Sequence, residues 1–358
     1  MSRILIAVLN WGMGHASRTL PIIEGALDVG WEVDVASTGD ALIWLKTRLR
    51  NRSGVTFFDK PGAVITYSHK FTMLKIVAQT PKLLLSISEE KKWTAKHVKS
   101  RSITKIFSDN CLGTYDANVP SVLMTHLLKF PVPKLFSPVA QLLIRRFASR
   151  FSEVWVPDLP PGPTSISGPL TSKTIHQETK FIGILSRLVR PSKDLTQTLT
   201  APYPLVGIIS GPEPHRTTME NALRKWMLNR PEKGIIFAGK PGWSSRKDGD
   251  VVTLYDPSDV EISDAICGSE ILICRSGYTS LLDLVALQKR AILIPTPGQM
   301  EQEELSAVWT EKFGFASCTQ KDLKNFMIPE MSGKFPPELF SKAPNKTAMN
   351  VLAVWLKN

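Results

Sequence analysis

The sequence predicts an α/β protein built on two doubly wound parallel sheets, one in each half of the chain. Three observations carry this. Short apolar runs bounded by Gly, Asn, Ser or Asp alternate with longer stretches of helical period over most of the 358 residues, which is the pattern of βαβ units. A Pro-rich loop from Pro157 to Pro163 and a polar run from Ser186 to Ala201 interrupt the alternation, which restarts at Leu205. The length and an apolar content of 43% suffice for two cores, and exclude a disordered chain or a small disulfide scaffold.

In the first half the predicted strands are 4–9, 32–36, 55–58, 104–108, 122–124 and 154–156, with a short return at 181–185. A helix over 16–27 follows the first strand and is stopped by Gly30; Pro21 is tolerated if it stands in the first turn or two. The second half reads as strand 205–209, helix 215–228, strands 234–237 and 251–254, helix 259–266, strand 270–274, helix 278–287, strand 291–294 and helix 301–312. The expected organisation is a Rossmann-like domain over 1–187, a linker over 188–204, a second Rossmann-like domain over 205–340, and a helix in 341–358 that packs back on the first domain. Two such sheets are expected to face each other across a cleft. Ligands of open α/β sheets bind outside the carboxyl ends of the strands, so the loops after strands are where chemistry is sought.

Charge is unevenly placed. Up to Arg187 there are 24 Lys+Arg against 13 Asp+Glu, and beyond it 20 against 19, within a net charge of +12. A one-sided field of this kind gathers anionic partners: nucleic acid, an anionic membrane or an acidic small molecule. Aromatics do not interleave with Arg and Gly as in an RNA-recognition module, so nucleic acid is not expected. In Leu127 to Phe151 a helix over 138–149 is predicted, with Lys129, Lys134, Arg145, Arg146 and Arg150 among Leu, Phe and Ile. It either packs its apolar side inward or lies on an anionic membrane surface. Cys111, Cys267, Cys274 and Cys318 lack C-x-x-C spacing and read as reduced thiols, not zinc ligands. No uninterrupted apolar stretch reaches the ~18 residues of a membrane span. The apolar run from Arg3 to Leu9 is short for a signal peptide, so a cytoplasmic protein with peripheral membrane contact at most is expected.

The loops after strands carry the candidate chemistry. Asn10-Trp-Gly-Met-Gly-His15 follows the first strand and opens a helix, where Gly12 and Gly14 let the backbone approach a ligand. As a dinucleotide fingerprint it lacks the third glycine, and Asp34 lies inside the second strand. His15 can remove a proton from a hydroxyl, or merely cap a helix. A carboxylate on its other nitrogen would orient it, and Asp109, at the end of the fourth strand, is the candidate, with a turn aspartate as the alternative. His126 also follows a strand and can contact a substrate, or serve only as a loop histidine. In the second half, Ser210 to Arg216 places Gly211 at a strand end and Arg216 at a helix start, a layout suited to phosphate, with a Pro-rich turn and a solvated Arg216 as the alternative. Cys274-Arg-Ser-Gly277 precedes a helix carrying Asp283, and the next strand ends in Pro295-Thr-Pro-Gly298, followed by Gln302 and Glu303. Asp248-Gly-Asp250 resembles a metal-binding D-x-D but stands in a polar turn, so no metal is expected.

These residues resemble the GT-B glycosyltransferases, and within them the family of the peptidoglycan lipid-intermediate N-acetylglucosaminyltransferase and its bacterial relatives. The most specific part is Ile273-Cys-Arg-Ser-Gly277 through Asp283, Ile294-Pro295 and Gln302 to Ala307, which is similar to the donor signature of that family. The resemblance implies that Ser276 and Gly277 lie against the donor diphosphate or sugar, that Asp283 bonds ribose hydroxyls, and that Gln302 and Glu303 contact the transferred sugar. Arg216 matches its phosphate-loop arginine and His15 its histidine near the acceptor. In related natural-product enzymes that histidine is a base oriented by an aspartate about a hundred residues on, and Asp109 lies 94 residues after His15. The chain departs from the pattern at Asp283, Glu303 and Ser306, where the family carries Glu, Gln and Asn, which leaves the donor sugar and base open.

The resemblance thus implies an inverting, metal-independent hexosyltransferase. It would use a nucleoside diphosphate sugar, expected to be a UDP-sugar, as substrate with no cofactor, and an anionic or lipid-linked acceptor. Two other classes fit the same residues. A sugar-nucleotide 2-epimerase shares the fold and needs no second substrate. A non-catalytic nucleotide-sugar or anion-binding protein would show salt-dependent binding without turnover.

Overall fold

The structure is a computed structural model, and it describes residues 2–62, 79–191, 203–211, 213–240, 242–329 and 343–358. These form two compact units that divide between Leu185 and Ser186, the first of which also includes 343–358. Of the expected linker 188–204, residues 188–191 belong to the second unit, and 192–202 lie outside the described residues.

The first unit holds strands β1 (Arg3–Val8), β2 (Glu32–Ser37), β3 (Val55–Asp59), β4 (Lys105–Asp109), β5 (Ser121–Met124), β6 (Glu153–Val156) and β7 (Thr179–Phe181). They form one parallel sheet in the order β3-β2-β1-β4-β5-β6-β7. Its helices are α1 (Met13–Asp28), α2 (Gly39–Arg48), α3 (Thr80–Arg101) and α4 (Ser137–Ala148). The strands carry continuous apolar runs because both faces of the sheet are covered: Ile4, Leu5, Ile6, Ala7 and Val8 are all fully buried. Pairing ends at Phe181, not at 185 as expected, because Gly183 adopts a φ of 78° and turns the chain out of the sheet. Helix α1 starts three residues earlier than expected, so Pro21 stands in its interior and not in its first turn.

The second unit holds β8 (Leu205–Ile208), β9 (Gly234–Phe237), β10 (Arg246–Asp248), β11 (Val251–Leu254), β12 (Ile271–Cys274), β13 (Ile292–Leu293) and β14 (Ala316–Ser317). The order is β10-β11-β9-β8-β12-β13-β14, parallel except for the β10/β11 pair. Its helices are α5 (His215–Leu228), α6 (Asp259–Gly268), α7 (Tyr278–Leu287) and α8 (Met300–Phe313). Asp248 closes β10, Gly249 turns at φ 55°, and the chain returns as β11, so Asp248-Gly-Asp250 is a hairpin turn. Asp248 pairs there with Arg246 at 2.6 Å and Arg224 at 3.4 Å.

The final helix, α9 (Lys346–Lys357), packs on α1 of the first unit. Leu352, Trp355 and Leu356 enter the same core as Ile22, Ile23 and Ala26. Gly25 lies so close to Met349 that a Cβ there would meet its sulfur at 2.5 Å. Cys111 and Cys274 are buried free thiols, and Cys267 and Cys318 are partly buried ones. Among the described residues no helix is long and apolar enough to cross a membrane.

Candidate active site

In the first unit, strand order places the site. β1 and β4 are neighbours where the order reverses, with Val8 opposite Asp109, and β5 is next, with Met124 opposite Asp109. The loop after β1, Asp109 and the loop bearing His126 therefore meet at one sheet edge. Gly12 begins α1 at a φ of 89° with open space where a Cβ would stand, so its conformation, not crowding, calls for glycine. Gly14 is the second residue of the helix. Asn10 fixes the loop by accepting the Ala41 N–H of α2 at 3.2 Å.

His15, Arg18 and Thr19 lie three and four residues apart on one face of α1, and all three reach Asp109. His15 Nδ1 is 3.1 Å from Asp109 Oδ1. Arg18 grips the carboxylate as a fork, with Nε donating to Oδ2 at 2.9 Å and Nη2 donating to Oδ1. The Thr19 hydroxyl donates to Oδ2 at 2.9 Å. Arg18 also extends to both histidines, with Nη2 at 2.9 Å from His15 Nδ1 and Nη1 at 3.2 Å from His126 Nδ1. Arg18, Asp109 and His126 are buried, whereas the His15 side chain keeps 15% of its surface exposed. Burial alone would raise the Asp109 pKa. The Arg18 charge and the His15 and Arg18 hydrogen bonds outweigh it and hold the carboxyl well below the usual carboxylate range. The structure thus brings His15, Asp109 and His126 together and adds Arg18 and Thr19, which the sequence reading had not singled out. The signal for Arg18 was its i+3 spacing from His15.

In the second unit, β8 and β12 are neighbours at the equivalent reversal. Buried Arg275 organises the loops there: it donates to the carbonyls of Ile294 and Pro295 at 3.2 Å each, of His215 at 3.0 Å, and to Gln320 Oε1 at 2.6 Å. Every one of those partners is neutral, and burial lowers the Arg275 pKa to about 10. Gly211 turns at a φ of 101°, and a Cβ there would stand 3.9 Å from Thr296 Oγ1, which places the loops after β8 and β13 side by side. Arg216, in the first turn of α5, donates to the Ala238 carbonyl just past β9. A protein carboxylate already serves the start of α5: Glu213 accepts the Thr217 N–H at 3.2 Å and pairs with Lys240 at 3.1 Å. Helix α7, in contrast, begins at Gly277 without a side-chain cap.

The remaining expected donor residues are partly committed within the protein. The buried Ser276 hydroxyl donates to the Gln302 carbonyl at 2.7 Å, which commits its proton within the protein. Gln302 Oε1 accepts the Thr296 N–H at 2.9 Å, and Glu303, which is exposed, accepts the Gly298 N–H at 3.0 Å. Both thereby pin the 295–298 turn. Asp283 Oδ1 accepts from Ser186 Oγ at 2.5 Å, and the Ser186 hydroxyl oxygen in turn accepts the Leu188 N–H at 3.0 Å. Asp283 therefore anchors the chain where it enters the second unit, a contact across 97 residues that no local pattern reveals. Among the described residues no cluster of His, Cys, Asp and Glu is spaced to hold a metal ion.

Burial raises the Asp283 pKa to about 6, against the opposing pull of Arg187 and Ser186. A carboxyl with a raised folded pKa binds its proton more tightly in the folded state, so it costs stability as pH rises from about 4 to 6. We expect Asp283→Asn, which keeps an acceptor for Ser186, to flatten the fall of the unliganded melting temperature over that window. A pH series of thermal unfolding scans checks this, and an unchanged slope would assign it to another group.

A family model for the glycosyltransferase family 28 C-terminal domain matches residues 246–328, the stretch that contains Arg275, Asp283 and Gln302. Solved structures of similar fold include MurG of Acinetobacter baumannii, at 11% identity and a TM-score of 0.58, with all of both chains covered. The glycosyltransferase SnogD from Streptomyces nogalater is similar at 12% identity and a TM-score of 0.62, with 99% of both chains covered. The spinosyn rhamnosyltransferase SpnG, solved with thymidine diphosphate, is similar at 12% identity and a TM-score of 0.59, covering 99% of this chain and 95% of that one. No curated protein sequence matches the chain. The protein thus has a GT-B fold of two Rossmann-like units and resembles MurG, and the matched domain supports glycosyl transfer.

Proposed function

We propose that the protein is an inverting glycosyltransferase that moves a hexose-type sugar from a nucleoside diphosphate sugar, a UDP-sugar in the simplest case, to an acceptor hydroxyl. The observation that carries this is Gly277. It has an ordinary φ of −71°, and a Cβ there would meet only the Gln302 amide nitrogen and Ser280 hydroxyl, at 3.8 and 3.9 Å. The protein's own packing places no demand for glycine at that position, and a diphosphate lying against the start of α7 would use the bare backbone there. Arg216, the start of α7 and Arg275 stand on neighbouring loops at that edge of the sheet. Together they would stabilise the negative charge of the leaving nucleoside diphosphate without a metal. Asp283 would bond the ribose, and Gln302 and Glu303 the sugar. His15 Nε2 would take the acceptor proton, oriented by Asp109 from the other nitrogen, with Gly12, Gly14 and His126 lining the acceptor side.

Incubation with a panel of sugar nucleotides, with and without candidate acceptors, tests the reading. Release of nucleoside diphosphate with a glycosylated product supports transfer. An altered sugar nucleotide formed with no acceptor would show an epimerase instead. In Arg216→Ala we expect nucleoside diphosphate affinity to fall about tenfold or more, since a charge-assisted contact contributes about 1.5–3 kcal/mol. Calorimetry giving equal affinities for variant and parent would remove Arg216 from the phosphate site.

The acceptor is proposed to be lipid-linked, and the protein to work at the inner, cytoplasmic membrane face. Helix α4 buries only Ile144 and Ala148, and leaves Val139, Leu142 and Leu143 exposed beside Leu135 and Phe136. Leu135 is 83% and Leu142 68% exposed, an apolar surface that water does not favour. Exposed Arg145 and Arg146 flank it, and each cation near anionic lipid adds about 1 kcal/mol. We expect co-sedimentation with anionic vesicles that weakens at high salt and is reduced by the Leu135→Ser, Leu142→Ser pair. Equal partitioning to zwitterionic vesicles, or none to either, would leave the basic charge to a soluble acidic acceptor.

A further inference from the structure

We infer that Arg18 is a positioning residue that sets the tautomer of His126 at the first site, with its proton on Nε2, and that completes the hydrogen-bond set of Asp109, which in turn holds His15 in the tautomer of a base. A guanidinium has only donors and stays charged at any working pH. With Arg18 Nη1 at 3.2 Å, His126 Nδ1 must therefore present a lone pair, which leaves its proton on Nε2. His126 is then a neutral donor suited to an acceptor oxygen, and cannot act as a second base through that nitrogen.

His15 faces a choice that Asp109 decides. Its Nδ1 lies 2.9 Å from Arg18 Nη2 and 3.1 Å from Asp109 Oδ1, and it can accept from the first or donate to the second. A carboxylate has about four acceptor positions. Arg18 Nε and Thr19 fill two on Oδ2, while Arg18 Nη2 and His15 Nδ1 fill two on Oδ1. The set is complete only when His15 carries its proton on Nδ1, the form whose Nε2 lone pair can take a proton. Among the described residues, the charged groups in contact with His15 are Arg18 on its own helix and Asp109 at the end of β4. This role rests on the proposed acceptor-side reading of the site, but its first readout needs no turnover.

Histidine ring ¹⁵N NMR of the unaltered protein near neutral pH reads the tautomers directly. We expect the His126 proton on Nε2 and the His15 proton on Nδ1; a proton on His126 Nδ1 overturns the inference whether or not sugar transfer is found. Two variants test the fork. Arg18→Lys loses it, so His126 should become a mixture of tautomers, and Arg18→Met removes every donor, so the preference of His126 for the Nε2 proton should be lost as well. Should Arg18→Met fail to fold, the unaltered protein and Arg18→Lys still decide the tautomer. A His126 tautomer unchanged in Arg18→Lys would contradict the positioning role, whereas absent sugar-nucleotide turnover with the expected tautomers would contradict only the proposed reaction.

Discussion

In His15→Ala, transfer from a sugar nucleotide to its acceptor should slow by about 10²–10⁴-fold, the range of a positioned acid-base group, while nucleoside diphosphate affinity stays unchanged. The reason is the division of the molecule. His15 stands at the edge of the first sheet, and its contacts to Asp109 and Arg18 lie wholly within that unit. Its side chain is also the exposed end of the cluster, so alanine leaves the buried Arg18 and Asp109 fork in place. Steady-state kinetics beside calorimetry separate the two effects. A parallel loss of donor affinity and turnover would place His15 in donor binding, not in proton transfer.

Asp109→Ala should be the most damaging single change to the fold. It leaves the Arg18 guanidinium buried without its carboxylate, and breaking a buried pair from one side costs about 3–5 kcal/mol. Urea unfolding measures the loss. The milder Asp109→Asn keeps the shape, and its catalytic loss should shrink in a His15→Ala background, since both would act on one step. Its stability loss should persist there, because that loss belongs to Arg18. The pH dependence has a definite sign. The folded Asp109 pKa lies below the unfolded value of about 3.9, so its contribution is present above that pH and is lost as pH falls below it. Both Asp109 variants should therefore show a flatter decline of stability in acid than the parent, and an equally steep decline would mean that other carboxylates govern acid unfolding.

Most of the two sheets was legible because their strands are covered on both faces and so read as short apolar runs between turn residues. What stayed hidden follows from the same rule. Helix α3 turns Ile87, Glu90, Thr94 and His97 inward, so its buried stripe has helical spacing but mostly polar residues. Glu90 is offset by Lys60 and His97 by Asp34, partners from distant segments that no window along the chain contains. Strand β10 is an exposed, charged edge of three residues and carries no alternation. The loops after strands exposed most candidate site residues, since glycine and histidine at strand ends are visible locally. Arg18 escaped because arginine is seldom expected in a core. Arg275 stood within the quoted motif, yet only its neighbours Ser276 and Gly277 were given roles. Its four neutral partners, spread from His215 to Gln320, show it to be the residue that holds those loops together.

A nucleoside diphosphate site at the carboxyl edge of the second sheet should be visible in thermal unfolding with a panel of nucleoside mono- and diphosphates, because a ligand held only by the folded state raises stability by about RT ln(1 + [L]/Kd). At least one nucleoside diphosphate should raise the melting temperature well above its monophosphate, and Arg216→Ala should remove most of the difference. Equal, negligible shifts for every nucleotide, or a diphosphate shift fully retained in Arg216→Ala, would contradict such a site.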